Sequence, residues 1–160
     1  MKGIIVSDAT PIIAFSRIGE LGLLQQIVGE IIIPEEVARE IFEYKKTDIK
    51  DIKSLQWIKI KKVKSKKEVD ILLSTLDTGE AEVIILSKEL KADLVIIDEL
   101  SARKVATMLG LPLIGTVGLL IEAKRKGLIH KVKPLLDEMM LQGIRYGEKF
   151  CHKILEEIGE

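Results

Sequence analysis

The feature that most constrains the fold of this chain is a short apolar run that ends in two acids. Leu94-Val95-Ile96-Ile97 is followed directly by Asp98 and Glu99. Four apolar residues rich in β-branched side chains and bounded by charges are typical of a strand buried on both faces. The preceding residues 77–92 carry apolar side chains at helical spacing, so a helix leads into this strand. In open α/β sheets functional residues gather at the carboxyl ends of strands, which is where Asp98 stands.

Strands and helices alternate along the rest of the chain. Short apolar segments predict further strands, and one alternating segment has the basic face of an edge strand. The predicted strands are Ile4–Ser7, Ile31–Ile33, Trp57–Lys61, Leu94–Ile97 and Pro112–Ile114. Because helical segments separate them, we predict an α/β fold with a mainly parallel sheet covered on both faces. The length of 160 residues suits a single domain, 1–160, in which 143–160 form a C-terminal helical extension.

Two of the predicted helices have specific boundary or packing signals. Thr10 followed by Pro11 is typical of a helix start, with threonine as the N-cap and proline at the first helical position. In the last helix, Phe150, Ile154 and Ile158 recur at helical spacing, so we expect them to form one apolar face.

Composition excludes several classes of protein. The net charge is zero, so any contact with nucleic acid must come from local patches. The single cysteine, Cys151, excludes an internal disulfide framework and suits a reducing cytoplasm, where we expect the protein to act. His130 and His152 lack the spacing of zinc ligands, and both are interpreted as structural, as is Cys151. No signal peptide and no run of about 20 apolar residues is evident, so no membrane association is expected. Glycine-rich dinucleotide and phosphate loops are also missing.

Carboxylates follow strands or begin helices at several points. Asp8 follows the first strand, Asp98 follows the buried run, and Asp77 and Glu80 begin the helix before that run; Glu40 borders the buried face of another helix. In a parallel sheet Asp8 and Asp98 would share one edge. Carboxylates that close together repel one another unless some are protonated or cations neutralise them. A set of oxygen ligands without His or Cys favours Mg²⁺ or Mn²⁺, which can support phosphodiester hydrolysis.

Each acid also has a structural interpretation. Asp98 could cap the helix that follows it. Asp77 and Glu80 match a capping box, and Glu40 could be a solvated helix residue. Asp8 is harder to explain in this way, because the expected N-cap lies two residues further on. Joint placement on one edge is what favours a functional set.

Four segments of the chain together resemble a PIN domain. They are VSDATPIIAF at the start, VAREI around Glu40, TGEAEVIILSKELKADLVIIDE in the middle and LPLIGTVGLLIEAKRKGLI later, and the resemblance extends to about residue 140. It is greatest to the prokaryotic branch with a GEAE motif, similar to VapC-like toxin ribonucleases. The resemblance implies a three-layer α/β/α sandwich and a nuclease that depends on Mg²⁺ or Mn²⁺.

The resemblance also implies roles for individual acids. The four catalytic carboxylates of the family match Asp8, Glu40, Glu80 and Asp98. The family more commonly has Asp where Glu80 stands, so the ligation geometry could differ here. Three of these acids, Asp8, Glu80 and Asp98, are the expected metal ligands.

A second departure from the family lies just after Asp98. Many members carry a further Asp two or three residues on, where this chain has Leu100 and Ser101. Glu99 could compensate as an additional metal ligand. The frequent Ser or Thr near the first acid has counterparts in Ser7 and Thr10, which we expect to contact the substrate.

Further substrate contacts are expected outside the acids. Residues 45–67 contain ten lysines against two acids, and Lys59, Lys61 and Lys62 are candidates for RNA contact, although such a run can also be an ordinary solvated face. Arg103 could contact phosphate or form an exposed pair with Glu99. Thr116 could touch a bound water or serve as an N-cap. Trp57 is interpreted as a core residue.

The leading functional hypothesis is a metal-dependent endoribonuclease, the toxin of a toxin–antitoxin pair. Its expected partners are RNA, a small antitoxin protein and a second copy in a homodimer. The main alternative is a PIN-like binding module that is weakly active or inactive. A phospho-receiver domain ranks lower, because Leu113-Ile114-Gly115-Thr116 offers no lysine at a strand end. A flap-type DNA nuclease would need long insertions for which this chain has no room.

Overall fold

The computed structural model describes residues 1–44 and 52–160, and a five-stranded parallel sheet forms its centre. The strands are β1 (Ile5–Ser7), β2 (Ile31–Pro34), β3 (Ile58–Lys61), β4 (Leu94–Ile96) and β5 (Leu113–Ile114). The predicted α/β/α sandwich with a mainly parallel sheet is confirmed. Each strand differs from its predicted range by one residue at one of its two ends.

Helices separate the strands, as the alternation predicted. They are α1 (Ala9–Arg17), α2 (Leu21–Val28), α3 (Glu35–Glu43), α4 (Lys66–Leu72), α5 (Thr78–Leu90), α6 (Leu100–Met108), α7 (Thr116–Arg125), α8 (Lys133–Leu141) and α9 (Glu148–Glu157), with a 3₁₀ turn at Ile52–Ser54. Helix α4 was not predicted, because it begins within the lysine-rich segment. Its N-cap is Ser65, whose side chain accepts the Glu68 N–H. Across these described ranges, no helix is long and apolar enough to cross a membrane.

The order of the strands creates a switch point at the centre of the sheet. The order is β3-β2-β1-β4-β5, so the chain moves outward from β1 in one direction and then returns to the other side of β1 with β4. Strand β1 pairs in parallel with β4, with Ser7 opposite Ile96. All strands therefore end at one edge of the sheet, here called the carboxyl edge. Ligand sites of open α/β sheets form at this edge where the strand order reverses.

Helix α5 is the element that places side chains at the carboxyl edge most firmly. It packs on β1, β2 and β4 and also contacts α3, α4 and α6. Val83, Ile84 and Leu86 are almost completely buried on it. Apolar side chains on more than one face are the mark of a helix enclosed by neighbours. Its first turn is consequently held in a fixed position.

Helix α9 packs against the core with two of the three residues of its predicted apolar face. Ile154 and Ile158 pack on the core together with Leu155, and Cys151 is buried. Phe150, the first residue of the predicted face, is 49% exposed. The buried stripe therefore begins one residue further along the helix, at Cys151.

A candidate acidic site at the carboxyl edge

Asp8 joins the two central strands at the switch point. Its backbone N–H donates to the carbonyl of Ile96 at 3.0 Å, which links β1 to β4. Its side chain is the N-cap of α1, where Oδ1 accepts the Ala9 N–H at 2.8 Å. The prediction of Thr10 as the N-cap was therefore wrong: the N-cap is Asp8, two residues earlier, and Thr10 lies exposed in the first turn of α1. Only 6% of Asp8 is exposed.

Asp98 does not cap the helix that follows it in sequence. Its Oδ1 accepts the Thr116 N–H at 2.7 Å, and its Oδ2 accepts the Thr116 hydroxyl at 2.5 Å. The carboxylate thus holds the start of α7 against the end of β4. Thr116 is fully buried and is the first residue of α7 after the N-cap Gly115, so its predicted role as N-cap was wrong.

The start of α5 brings two more carboxylates to this edge. Asp77 is the N-cap of α5 and accepts the Glu80 N–H through Oδ1 at 2.8 Å, so the capping interpretation holds for Asp77. Glu80 lies in the first turn and is partly buried. Glu40 approaches from α3 and its Oε1 lies so close to Gly79 that a Cβ there would overlap it. A glycine at position 79 is what allows α3 and α5 to bring these acids together.

The pKa values indicate that these carboxylates form one interacting cluster. Burial raises the pKa of Asp8 to about 6, and the charges of Asp77, Asp98 and Glu99 add to that rise against the Ala9 hydrogen bond. Burial also raises the pKa of Glu40 to about 7, with further contributions from Asp8 and Asp77. Like charges that share a site favour the protonated form of each other. The acids therefore disfavour one another's charged forms, and bound protons or a cation would relieve this.

The same pattern extends to Glu80 and Asp98. Burial raises the pKa of Glu80 to about 8, together with its contact to Asp77 and the charges of Asp8 and Glu99. Burial raises the pKa of Asp98 as well, opposed by its hydrogen bonds from Thr116 and by the Arg103 charge. Asp98 is consequently the best compensated of the four predicted catalytic acids.

The donor chemistry of the cluster fits a hard divalent cation, but its side chains are not arranged to chelate one. Among residues 1–44 and 52–160, no three Asp, Glu, His or Cys side chains converge closely enough to hold a metal ion. Local bonds explain this: Asp8 and Asp77 cap helices, and Thr116 occupies both oxygens of Asp98. Carboxylate oxygens with uncompensated charge are nevertheless the ligands that Mg²⁺ and Mn²⁺ prefer.

The remaining residues predicted for this edge differ in how accessible they are. Ser7 is fully buried and its hydroxyl donates to the Asp8 carbonyl, so it supports the strand end and does not face a substrate. Glu99 is exposed at the N-cap of α6 without a capping hydrogen bond. The Arg103 guanidinium donates to the Ile97 carbonyl at 2.7 Å, and the expected pairing with Glu99 was wrong.

Two of the three predicted RNA-contacting lysines lie near the level of the acids. Lys61 stands opposite Pro34 in register, at the carboxyl end of β3. Two strand spacings, about 10 Å, separate β3 from β1. Lys62 lines a groove of about 430 Å³ that also includes Thr78 and Glu82 of α5. Lys59 is exposed on the same strand but lines the larger groove between α3 and β3, of about 1150 Å³, which lies away from the carboxylates.

The other interpretations for the lysine-rich segment have mixed outcomes. Lys59, Lys61 and Lys62 are all exposed, as an edge strand with a basic face requires. Trp57 is partly buried and packs on the core, as expected. Residues 45–51 of the segment lie outside the described residues.

One residue at the site escaped the sequence analysis, and another was given too small a part. Asp77 was named among the acids at helix starts but was not assigned to the catalytic or metal-binding set, although its charge raises the pKa of Asp8, Glu40 and Glu80. Tyr146 comes from the C-terminal segment, and its ring lies near Thr116 and Asp98. No pattern pointed to Tyr146, because the recognised motifs end before it.

A comparison with models of protein families gives a match over nearly the whole chain. The family model DUF3368, described as a PIN domain, matches residues 4–160. The match includes β1, the acidic cluster and the C-terminal helix α9. A comparison with curated proteins found no match.

Proposed function

Since the chain belongs to the PIN domain family, we propose that it is an endoribonuclease that depends on Mg²⁺ or Mn²⁺. PIN domains are generally nucleases that use divalent metal ions. The observation that carries the proposal is the acidic cluster at the switch point, where Asp8 and Asp98 follow adjacent parallel strands. A buried cluster of this charge is unfavourable unless a cation or protons offset it.

The residues that would hold the ion are Asp8, Glu80 and Asp98, with Glu40 completing the catalytic set. Glu99, exposed beside Asp98, is the further ligand we propose in place of the family's additional Asp. A divalent ion bound there acidifies water and offsets the charge that develops on a phosphodiester. The chain itself excludes bulk water from Asp8 and fixes Asp98 through Thr116.

The hydrogen bonds of these carboxylates leave oxygen lone pairs to which a cation can bind. Asp98 offers both oxygens to Thr116, and Asp8 offers Oδ1 to Ala9. A carboxylate oxygen has two lone pairs, so each can accept these donors and still face a cation. The hydrogen bond described for the Asp8 side chain is accepted by Oδ1, so the lone pairs of Oδ2 remain for a cation.

The decisive experiment compares cleavage of a mixed RNA pool by the parent and by Asp8→Asn, each with and without Mn²⁺. Asparagine caps a helix about as well as aspartate, so the fold should survive. We expect Mn²⁺-dependent cleavage by the parent and a loss of at least about 100-fold in the variant, the scale seen when one charge-stabilising group is removed from an active site. Asp70→Asn, at an exposed position on α4, is the matched control. Equal cleavage by the parent and Asp8→Asn would refute the assignment.

We propose RNA as the substrate because exposed lysines lie at the same edge of the sheet as the acids. Replacing Lys59, Lys61 and Lys62 together with Glu should weaken RNA binding and lower the magnitude of its salt slope by about 2, since each single-strand phosphate contact contributes about 0.7. Affinity measured at several salt concentrations tests this. Unchanged affinity and slope would make the segment an ordinary solvated face.

The proposed biological role is that of a toxin whose partner is a small antitoxin protein, acting as a homodimer in the cytoplasm. This role rests on the resemblance of the GEAE segment to VapC-like ribonucleases. Co-expression with the product of an adjacent small reading frame, followed by measurement of complex mass and cleavage, tests it. Inhibition within a stable complex supports the role, whereas an uninhibited nuclease contradicts it.

A second candidate is a PIN-like binding module that binds RNA or protein without turnover. The specific observation in its favour is that no three of the described Asp, Glu, His or Cys side chains converge on one point. A parent protein that binds RNA, shows no thermal shift with Mn²⁺ and cleaves nothing would support the module over the nuclease.

A further inference from the structure

A tyrosine hydroxyl from the C-terminal segment is buried against the acidic site without a hydrogen bond. Tyr146 lies between α8 and α9, and its ring packs on the core. Its hydroxyl is inaccessible and has no bonded partner in the part of the chain that the structure describes. The same hydroxyl lies beside the Thr116 side chain and within electrostatic range of Asp98. A buried hydroxyl that approaches a polar side chain without bonding calls for an explanation.

The bonds of Thr116 define what this hydroxyl can do. The Thr116 hydroxyl hydrogen and the Thr116 N–H are both directed to Asp98. A threonine hydroxyl has one hydrogen and two lone pairs, so Thr116 Oγ1 is left as an acceptor. Burial and the Asp98 charge raise the pKa of Tyr146, which keeps the phenol protonated and able to donate. Donor and acceptor are therefore matched in chemistry and adjacent in space.

We propose that Tyr146 is a positioning residue of the site, acting on Asp98 through Thr116. In this role the phenol, which makes no hydrogen bond in the described structure, moves onto Thr116 Oγ1 and donates to it, which keeps the threonine hydrogen directed at Asp98 Oδ2. Consecutive hydrogen bonds strengthen one another where water is excluded. Tyr146 touches neither substrate nor metal in this role; it limits the orientations of the carboxylate. The functional part of the inference rests on the proposed nuclease activity.

If the role of Tyr146 were purely structural, replacing it by phenylalanine should have a different result. If the ring only filled space, a phenylalanine would serve better, because an unbonded buried hydroxyl is unfavourable. Tyr146→Phe would then keep or raise the melting temperature and leave kcat unchanged. If the hydroxyl donates to Thr116 and so positions Asp98, the same variant loses a buried hydrogen bond, and both the melting temperature and kcat should fall.

The first experiment is therefore Tyr146→Phe, with Tyr44→Phe as the matched control. Tyr44 is the other tyrosine of the chain, and its hydroxyl accepts from Arg17 Nη1 at 3.0 Å near the opposite end of α1. Loss of one hydrogen bond lowers a rate by about three- to tenfold. We expect a fall of that size in kcat for RNA cleavage by Tyr146→Phe with KM unchanged, and no fall for Tyr44→Phe. An unchanged kcat in Tyr146→Phe overturns the catalytic part of the inference.

The second experiment tests whether the effect passes through Thr116. In a double-mutant cycle, residues that act through one network are not additive. Tyr146→Phe should lower kcat in a Thr116→Ser background, which keeps the hydroxyl, but not in a Thr116→Val background. Equal losses in both backgrounds would show that Tyr146 acts by another route and would overturn the inference.

A readout independent of catalysis separates this inference from the proposed function. The Thr116 amide is bonded to Asp98 Oδ1, so its hydrogen exchange reports how firmly the pair is held. In the metal-free protein, exchange at Thr116 should be about three- to tenfold faster in Tyr146→Phe and unchanged in Tyr44→Phe. If the parent cleaves no RNA but this difference appears, the nuclease proposal fails and the positioning role stands. If the parent cleaves RNA and neither exchange nor kcat changes, the positioning role fails alone.

Discussion

Two regions of this protein each enclose a carboxylate whose pKa is shifted, and the two shifts have opposite directions. Asp8 at the carboxyl edge is 6% exposed, and burial with neighbouring acids raises its pKa to about 6. The Glu160 side chain is 4% exposed, and burial alone would raise its pKa too. Hydrogen bonds from Lys124, Val132 and Lys133 outweigh that effect and lower it to about 2.

The opposite directions follow from the partners of the two carboxylates. Glu160 Oε2 accepts from Lys124 Nζ at 2.9 Å and from the Val132 N–H at 2.8 Å, and Oε1 accepts from the Lys133 N–H at 3.0 Å. The carboxylate thereby ties α7 to the start of α8. Asp8, in contrast, faces other acids. The Glu160 carboxylate stabilises the fold through its bonded partners. The acids around Asp8 instead carry charge that a bound ligand could compensate.

Of the changes predicted here, the loss of the Glu160 carboxylate should alter the free energy of unfolding most. Glu160→Ala removes the acceptor of Lys124 and leaves two backbone donors without it. Removing a carboxylate that accepts three hydrogen bonds close to the surface costs about 2 kcal/mol. Urea unfolding at pH 7 measures the change, and Glu156→Ala, at an exposed position on α9, is the control. A change below about 1 kcal/mol would mean that the two regions do not differ as described.

The fold could be predicted closely because its signals are local. A β-branched run such as Leu94–Ile97 predicts a buried strand by itself, and helices between such runs require parallel pairing. The order of the strands is not local. The residues of β4 contain no signal that predicts its pairing with β1 on the side opposite β2. The switch point, which explains why Asp8 and Asp98 meet, therefore had to come from the structure.

The site was harder to predict than the fold, because short polar side chains have several possible partners. Asp98 was expected to cap the next helix or face a metal, and the structure adds a third use, the anchoring of Thr116 eighteen residues later. Tyr146 and Glu160 act across similar or longer separations. Neither residue has a pattern that marks it, so its role is decided by packing alone.

The next effect in size concerns Asp8 and has the opposite sign. In the metal-free protein, Asp8→Asn removes a charge that its neighbours disfavour, and asparagine keeps the cap. We expect a gain of about 1–2 kcal/mol in the free energy of unfolding at pH 7. Thermal unfolding without metal measures it, with Asp70→Asn as the control. A loss of stability would show that Asp8, like Glu160, is compensated by partners.

Mn²⁺ should reverse the order of stability of the parent and Asp8→Asn. A ligand that binds only the folded protein stabilises it by about 2.7 kcal/mol at 100 times its Kd. At saturating Mn²⁺ the parent should become more stable than Asp8→Asn, whose site has lost one ligand charge. Melting curves with and without Mn²⁺ give the result. A shift of equal size in both proteins would place the ion elsewhere.

The smallest expected effect is the pH dependence that distinguishes the two regions. Glu40 and Glu80 have folded-state pKa values of about 7 and about 8, above the ordinary value of 4.5. Between pH 4.5 and those values the unfolded chain binds fewer protons than the folded one, so metal-free stability falls as pH rises. Both side chains are partly exposed, so each should contribute only about 0.5–1 kcal/mol.

Glu160 gives the opposite slope in a lower range of pH. Its folded-state pKa of about 2 lies below 4.5, so its contribution is complete above pH 4.5 and is lost as pH falls towards 2. Denaturant unfolding at pH 3, 5, 6.5 and 8 should therefore show a maximum near pH 5 in the metal-free parent. Glu40→Gln and Glu80→Gln should flatten only the alkaline side, and Glu160→Gln only the acidic side. If Glu160→Gln flattened the alkaline side as well, the two regions would be coupled, and the separation of a stabilising carboxylate from a functional cluster would have to be abandoned.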